Sequence, residues 1–132
     1  MLWSKKGDVI GDVDDLGKAI KTLTGLNAYW HYPNVPKVSD KQFCVIATLA
    51  HVSHGEWGGV EIAVTNTFSC DIYTRDSDAL EQLVSMVSGA LLGNNVRTVG
   101  RTDGRDSISQ RWSAHLTLQA SYDVYGRMYR GL

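Results

Sequence analysis

Two long stretches of the chain alternate apolar and polar residues, and an amphipathic helical stretch lies between them. In the first, Val60 to Tyr73, one side reads Val60, Ile62, Val64, Asn66, Phe68, Cys70 and Ile72. The other reads Glu61, Ala63, Thr65, Thr67, Ser69, Asp71 and Tyr73. In the second, Arg111 to Tyr125, the residues Trp112, Ala114, Leu116, Leu118, Ala120, Tyr122 and Val124 share a side. Opposite them stand Ser113, His115, Thr117, Gln119, Ser121 and Asp123. Successive side chains of a strand point to opposite faces, so both stretches are predicted strands with one buried and one polar face. They exceed the usual five or six residues by about a factor of two. Their ends are therefore expected to project beyond a compact body and to need a partner chain or an edge defence.

The other elements follow from spacing. From Asp12 to Leu23, the residues Val13, Leu16, Ala19, Ile20 and Leu23 fall on one helical stripe, with Asp12, Asp14 and Asp15 at its start and Gly25 as its stop. Carboxylates there satisfy free amide groups and favour the positive end of the helix dipole, so this acidic cluster reads as a cap rather than a metal site. Ala28 to His31 is a brief strand, and Pro33 and Pro36 then forbid regular pairing. Phe43 to Val52 is almost continuously apolar, as suits a strand covered on both faces, and is placed centrally in the sheet. His51 to Gly59 is turn-rich, and Gly58 and Gly59 ease a reversal into the first long strand, which makes the two strands antiparallel. A second helix begins at Ser77 or Asp78, with Asp78 and Glu81 at capping-box spacing. It carries Leu80, Leu83, Val84, Val87, Ala90 and Leu91 on one stripe and ends at Gly93.

Val96 to Val99 reads as a short strand, and Gly100 to Gln110, rich in glycine and charge and without apolar period, as an exposed loop joining two strands. Deleting Gly104 to Ser107 is accordingly expected to spare folding. The order is helix, three strands, helix, strand, long loop, strand. That is an α+β pattern: a largely antiparallel or mixed sheet of four to five strands with two α-helices packed on one face. A single domain spans residues 1–132, with an amino-terminal arm at 1–11 and a carboxy-terminal tail at 126–132.

Composition narrows the functions. With 132 residues, 43% of them hydrophobic, the chain supports one core without disulfides or a structural metal. Thirteen basic and 14 acidic residues give a net charge of -1, which argues against a dominant phosphate-binding surface. Cys44 and Cys70 lie in apolar strand patterns, where reduced thiols act as small hydrophobes, and nothing demands a bond between them. The first residues lack the apolar core of a signal peptide and no segment nears about 18 consecutive apolar residues, so a soluble, cytoplasmically made protein is expected.

Chemistry is sparse. His51 and His54 form H-x-x-H, but on a strand entering a turn this spacing sets the rings on opposite sides, and two solvated histidines are the simpler reading. His115 on the polar face can meet Asp71 or Glu61 across the sheet, as a general base meets its orienting carboxylate. No nucleophile stands on a glycine elbow, so a cross-strand polar pair is preferred. Gly100 to Gly104 with Arg101 and Arg105 lacks both a Walker pattern and a following helix. No catalytic residue, metal or cofactor is assigned, and the chain is not expected to be an enzyme. Trp57, in a glycine-rich turn, reads equally as a contact anchor or as a ring folded down onto its own sheet. The tail Val124 to Leu132 alternates basic and aromatic residues, and its two arginines suit a protein partner better than nucleic acid.

In this order the elements resemble the tail terminator proteins of long-tailed bacteriophages. The resemblance runs from Gly59 to Tyr125 through FSCDIYTRDSD, the helix ALEQLVSMVSGALLG, the segment GRTDGRDSISQ and the final strand RWSAHLTLQASYDVY. YWHYPNVP and FCVIATLA match as well, whereas the first dozen residues and GRMYRGL are not covered. The resemblance implies a structural virion protein at the head-proximal end of the tail, assembled in the host cytoplasm. It implies a homo-hexameric ring that caps the tail tube, stops its polymerisation and offers a joining surface for the head. Its partners would be copies of itself, the major tail tube protein and a head-completion or connector protein, with DNA only passing through the channel and no membrane. On that reading Arg101, Thr102, Asp103, Arg105, Asp106 and Ser109 form the loop that contacts the tube or lines the channel. Trp57, Tyr125, Arg127, Tyr129 and Arg130 make ring contacts. The head-completion (neck) proteins share the fold and are the alternative role. A small enzyme or ligand-binding domain using His115 and Asp71 is the more distant one.

Overall fold

The computed structural model describes residues 10, 12–30, 40–53, 56–57, 60–61, 63–107 and 110–123. Helix α1 (Val13–Thr24) begins where Asp12, in extended backbone, accepts the Asp15 amide at 2.8 Å, and it ends at Gly25, whose φ of 79° is the left-handed value that glycine adopts without strain. Strand β1 (Asn27–Tyr29) follows, then β2 (Gln42–Ser53), a separate hairpin of β3 (Glu56–Trp57) and β4 (Val60–Glu61), and β5 (Ala63–Thr74). Helix α2 (Ser77–Leu92), β6 (Val96–Asp106) and β7 (Arg111–Asp123) complete the order. The fold is α+β: a five-stranded mixed sheet in the order β1-β2-β5-β7-β6, with two helices packed against it. All its pairings are antiparallel except β1 with β2.

One face carries the core. Cys44 and Ile46 of β2, Phe68, Cys70 and Ile72 of β5, and Ala114, Leu116, Leu118 and Ala120 of β7 meet Leu16 and Ile20 of α1 and Leu80, Leu83, Val84, Val87 and Leu91 of α2. The alternation read in the two long segments thus marks the helix-covered side. Gly17 lets α1 sit close, because a Cβ there would stand 3.2 Å from Cδ1 of Ile46. Cys44 and Cys70 are free and buried on adjacent strands, and a hydrogen bond between the thiols, together with burial, holds the Cys70 pKa well above its ordinary value.

Several boundaries differ from expectation. The central strand is β5, not β2. On the side of β2 away from β5 lies, among the described residues, only the short β1, yet Phe43 and Val45 are buried on the face away from the helices, and burial on both sides imitates a central strand. The first long segment is divided, with Val60 and Glu61 in the small hairpin and the main strand starting at Ala63. The long strands do not project singly: β5 pairs with β7 along its whole length and with β2 from Val64 to Thr74. The cap of α2 is Asp76, which accepts the Asp78 amide at 3.0 Å, and Glu81 bonds elsewhere. Most consequentially, Gly100 to Asp106 is no loop. It continues β6, and only residues 107 and 110 of the described turn lie between β6 and β7.

Candidate functional site

Strand β6 is an edge, bonded among the described residues only to β7, and this pairing rather than its own composition makes it a strand. Glycine and aspartate are poor strand formers, and an edge with solvent on both faces shows no apolar alternation. Arg101 anchors it to the body. Its guanidinium donates to Glu81 of α2 in fork geometry, Nη1 to Oε1 at 3.0 Å and Nη2 to Oε2 at 2.6 Å. It also donates to both oxygens of Asp103, at 2.8 and 3.0 Å. These bonds from Arg101 hold both carboxyl groups below their usual range and raise the guanidinium above its own. Arg105, whose guanidinium centre lies 5.1 Å from the Trp112 ring centroid, donates to Gln110 at 2.6 Å, and Gln110 in turn donates to the Ser107 carbonyl at 2.8 Å. The proposed contact residues are therefore split between two faces of one strand. Arg101, Asp103 and Arg105 lie on the helix side, while Thr102, opposite His115, lies on the other, as does Asp106 opposite Arg111.

The face away from the helices is built from small polar side chains at its centre: Thr65, Thr67 and Ser69 on β5 beside Thr117, Gln119 and Ser121 on β7. Thr65 and Ser121 share a hydroxyl hydrogen bond of 2.8 Å. Asp71 and His115 are direct cross-strand partners, and the Asp71 carboxylate accepts a hydrogen bond from Nδ1 of the imidazole. The His115 side chain is 47% exposed and Asp71 13%. An imidazole so held has its other ring nitrogen left to meet a further group, the geometry a general base requires. Toward one end this face turns aromatic. Tyr29 meets Phe43 edge-on with centroids 5.7 Å apart, and Phe43 stacks on Tyr73 at 5.1 Å. The fully buried Arg111 sets its guanidinium 5.2 Å from the Phe43 centroid and donates Nη2 to the Asp40 carbonyl at 3.2 Å. Burial pulls its pKa down from the ordinary arginine value. Asp40 accepts from Asn27 at 2.9 Å and Tyr29 at 2.8 Å, and these bonds hold its carboxyl below the usual range.

Arg111 went unnoticed in the sequence because the strand's apolar set starts at Trp112. The usable signal was its position on the same side as Tyr73, beside an apolar strand expected to be covered twice. Trp57 is not a turn residue: it pairs with Val60 in the small hairpin. Ser109, Tyr125, Arg127, Tyr129 and Arg130 lie outside the described residues, as do His31 and His54. His51 sits in β2, its Nδ1 2.6 Å from Oδ1 of Asn66. Among the described residues no three His, Cys, Asp or Glu side chains gather as a metal cluster, and no helix is long and apolar enough to cross a membrane. No protein-family model matches the chain, and no curated protein matches it significantly.

Proposed function

We propose that the chain is a structural subunit of a phage tail terminator, one of six copies in a ring that caps the tail tube and receives the head. What supports this reading most is the open sheet: long strands, helices confined to one face, and both edges left without a neighbouring strand among the described residues. A subunit of this kind gains by meeting its own copies, since unpaired edge amides and carbonyls are a template for another chain. A closed ring needs two different surfaces on each subunit, and the two edges of this sheet differ in sequence and length. Stopping a growing tube then requires that the ring's two ends be unlike, one matching the tube protein and the other the neck. Near-neutral charge suits a channel through which DNA slides without being held. No bond is made or broken in this role.

Electron microscopy of particles lacking the protein tests it. Headless tails of uncontrolled length are the expected outcome, and normal-length tails would transfer the chain to the head-completion role. A reading from a different class draws on the Asp71–His115 pair, which would orient an imidazole for acid–base work or ligand binding. Under the terminator reading, His115→Ala leaves both ring formation and tail-length control within about twofold of wild type, because an exposed cross-strand polar pair contributes at most about 1 kcal/mol. Lost function with intact rings would favour the acid–base reading.

A further inference from the structure

The outer side of β2 is paired with β1 only along Phe43–Val45, so its remaining stretch from Ile46 to Ser53 is an open edge among the described residues. At the other side of the sheet, strand β6 (Val96–Asp106) has β7 as its one neighbouring strand among the described residues. The two edges run in opposite directions, because β2 with β5, β5 with β7 and β7 with β6 are three successive antiparallel steps. Rotating a second copy about an axis along the strands therefore brings its β6 antiparallel to β2 of the first. That is the better bonded of the two ladder types, and it keeps every helix on one side of the joined sheet.

The rows of the sheet also match. Tracing the registers across it, Ile46, Cys70, Leu116 and Arg101 share a row, followed by Ala47, Ser69, Thr117 and Gly100, and then Thr48, Phe68, Leu118 and Thr98. Ala50, Thr67, Gln119 and Arg97 come next. Each edge strand has one register shift, β2 at Leu49, between Thr48 and Ala50, and β6 at Val99, between Thr98 and Gly100. The two irregularities lie one row apart on opposite edges, and each presents an aliphatic side chain to solvent, Leu49 at 56% and Val99 at 49% exposure. β5 and β7, between them, pair without a shift.

Charge selects which edges meet. Ile46 to Ser53 bears no acidic or basic residue apart from His51, whereas β6 bears Arg97, Arg101, Asp103, Arg105 and Asp106. Pairing β6 with itself would bring several arginines of two copies together. Pairing β2 with itself would end at a dimer and leave β6 bare. The neutral edge against the charged one avoids both outcomes and repeats around a ring.

We propose that copies of this chain join edge to edge, with Val96–Arg101 of β6 laid antiparallel along Ile46–Ser53 of the next copy's β2 and Leu49 against the neighbour's Val99. This deepens the ring reading and rests on it. Disulfide trapping with copper–phenanthroline as oxidant tests the contact, using L49C and V99C; the native Cys44 and Cys70 are fully buried. Mixed one to one, the two single variants give a linked dimer that neither gives alone, and the double variant gives a ladder of linked oligomers. In parallel, Leu49→Glu, at a site exposed enough to leave the monomer folded by circular dichroism, shifts the oligomer to monomer in light scattering. Self-linking of L49C alone, oligomers without any 49–99 link, or a monomer that never links at any concentration would each overturn the proposal. Failure of the two readings is distinguishable. A 49–99 link with normal-length tails in particles lacking the protein removes the terminator role and keeps the contact, and uncontrolled tails without the link do the reverse.

Discussion

Arg111 is the largest fully buried side chain among the described residues, and it replaces what a hydrophobic residue would do on the face away from the helices. Its stem and guanidinium cover Phe43 while one nitrogen reaches the Asp40 carbonyl. Arg111→Ala removes both the packing and the bond and is expected to lower stability by about 2–4 kcal/mol, measured as a shift of the urea midpoint. Arg111→Met keeps most of the volume, so it should recover more than half of that loss. Asp40 beside it controls an acid-sensitive contact. Bonds from Asn27 and Tyr29 hold its carboxyl below the ordinary 3.8, so unfolding takes up a proton in acid. Its contribution is fully present above that value and disappears as the pH falls through the depressed one. Asp40→Asn preserves an acceptor but no titration, so the fall in urea midpoint below pH 3.8 becomes shallower in the variant. Glu81 and Asp103, also held low by Arg101, leave part of the acid slope in place.

At the scale of elements, β6 shows how pairing overrides local preference. Its residues from Gly100 onward lack the composition of a strand, yet they oppose β7 row by row: Gly104 with Ser113, Arg105 with Trp112, Asp106 with Arg111. Deleting Gly104 to Ser107 removes those three rows and the start of the turn. At about 1 kcal/mol for each backbone bond, a loss of about 2–3 kcal/mol in denaturant titration is expected, contrary to the tolerance that a loop would show. Arg101→Ala should cost less than about 1 kcal/mol in the same measurement, because its ion pairs with Glu81 and Asp103 are largely exposed and the ladder survives without them. The comparison separates the strand's pairing from its clamp.

For the molecule as a whole, the consequence of these elements is a sheet covered on one side and, among the described residues, open at both ends of its strand order. With helices on one face and mostly small polar residues at the centre of the other, the edges are where backbone groups have no neighbouring strand among the described residues. Assembly by such edges predicts an oligomer whose formation depends on Leu49 and Val99 more than on His115. Light scattering on the three variants, Leu49→Glu, Val99→Glu and His115→Ala, checks the ranking: the first two reduce the assembled fraction at least tenfold, and the third leaves it unchanged within twofold.

Hydrophobic periodicity determined both helices, the helix-facing sides of β5 and β7 and the α+β class, because these depend on which residues must leave water and at what spacing, and the turn-rich segment before the first long stretch determined the antiparallel pairing of β2 with β5. The opposition of Asp71 and His115 was likewise legible from the polar side of the alternation. Only the tertiary structure decided that β5 is central, that Arg111 seals an aromatic cluster, and that a glycine-rich charged segment is a strand. Each of those depends on a neighbour far away in the chain: β1 beside Phe43, Asp40 beside Arg111, β7 beside β6. A residue's own apolarity carries no record of the partner that completes its hydrogen bonds.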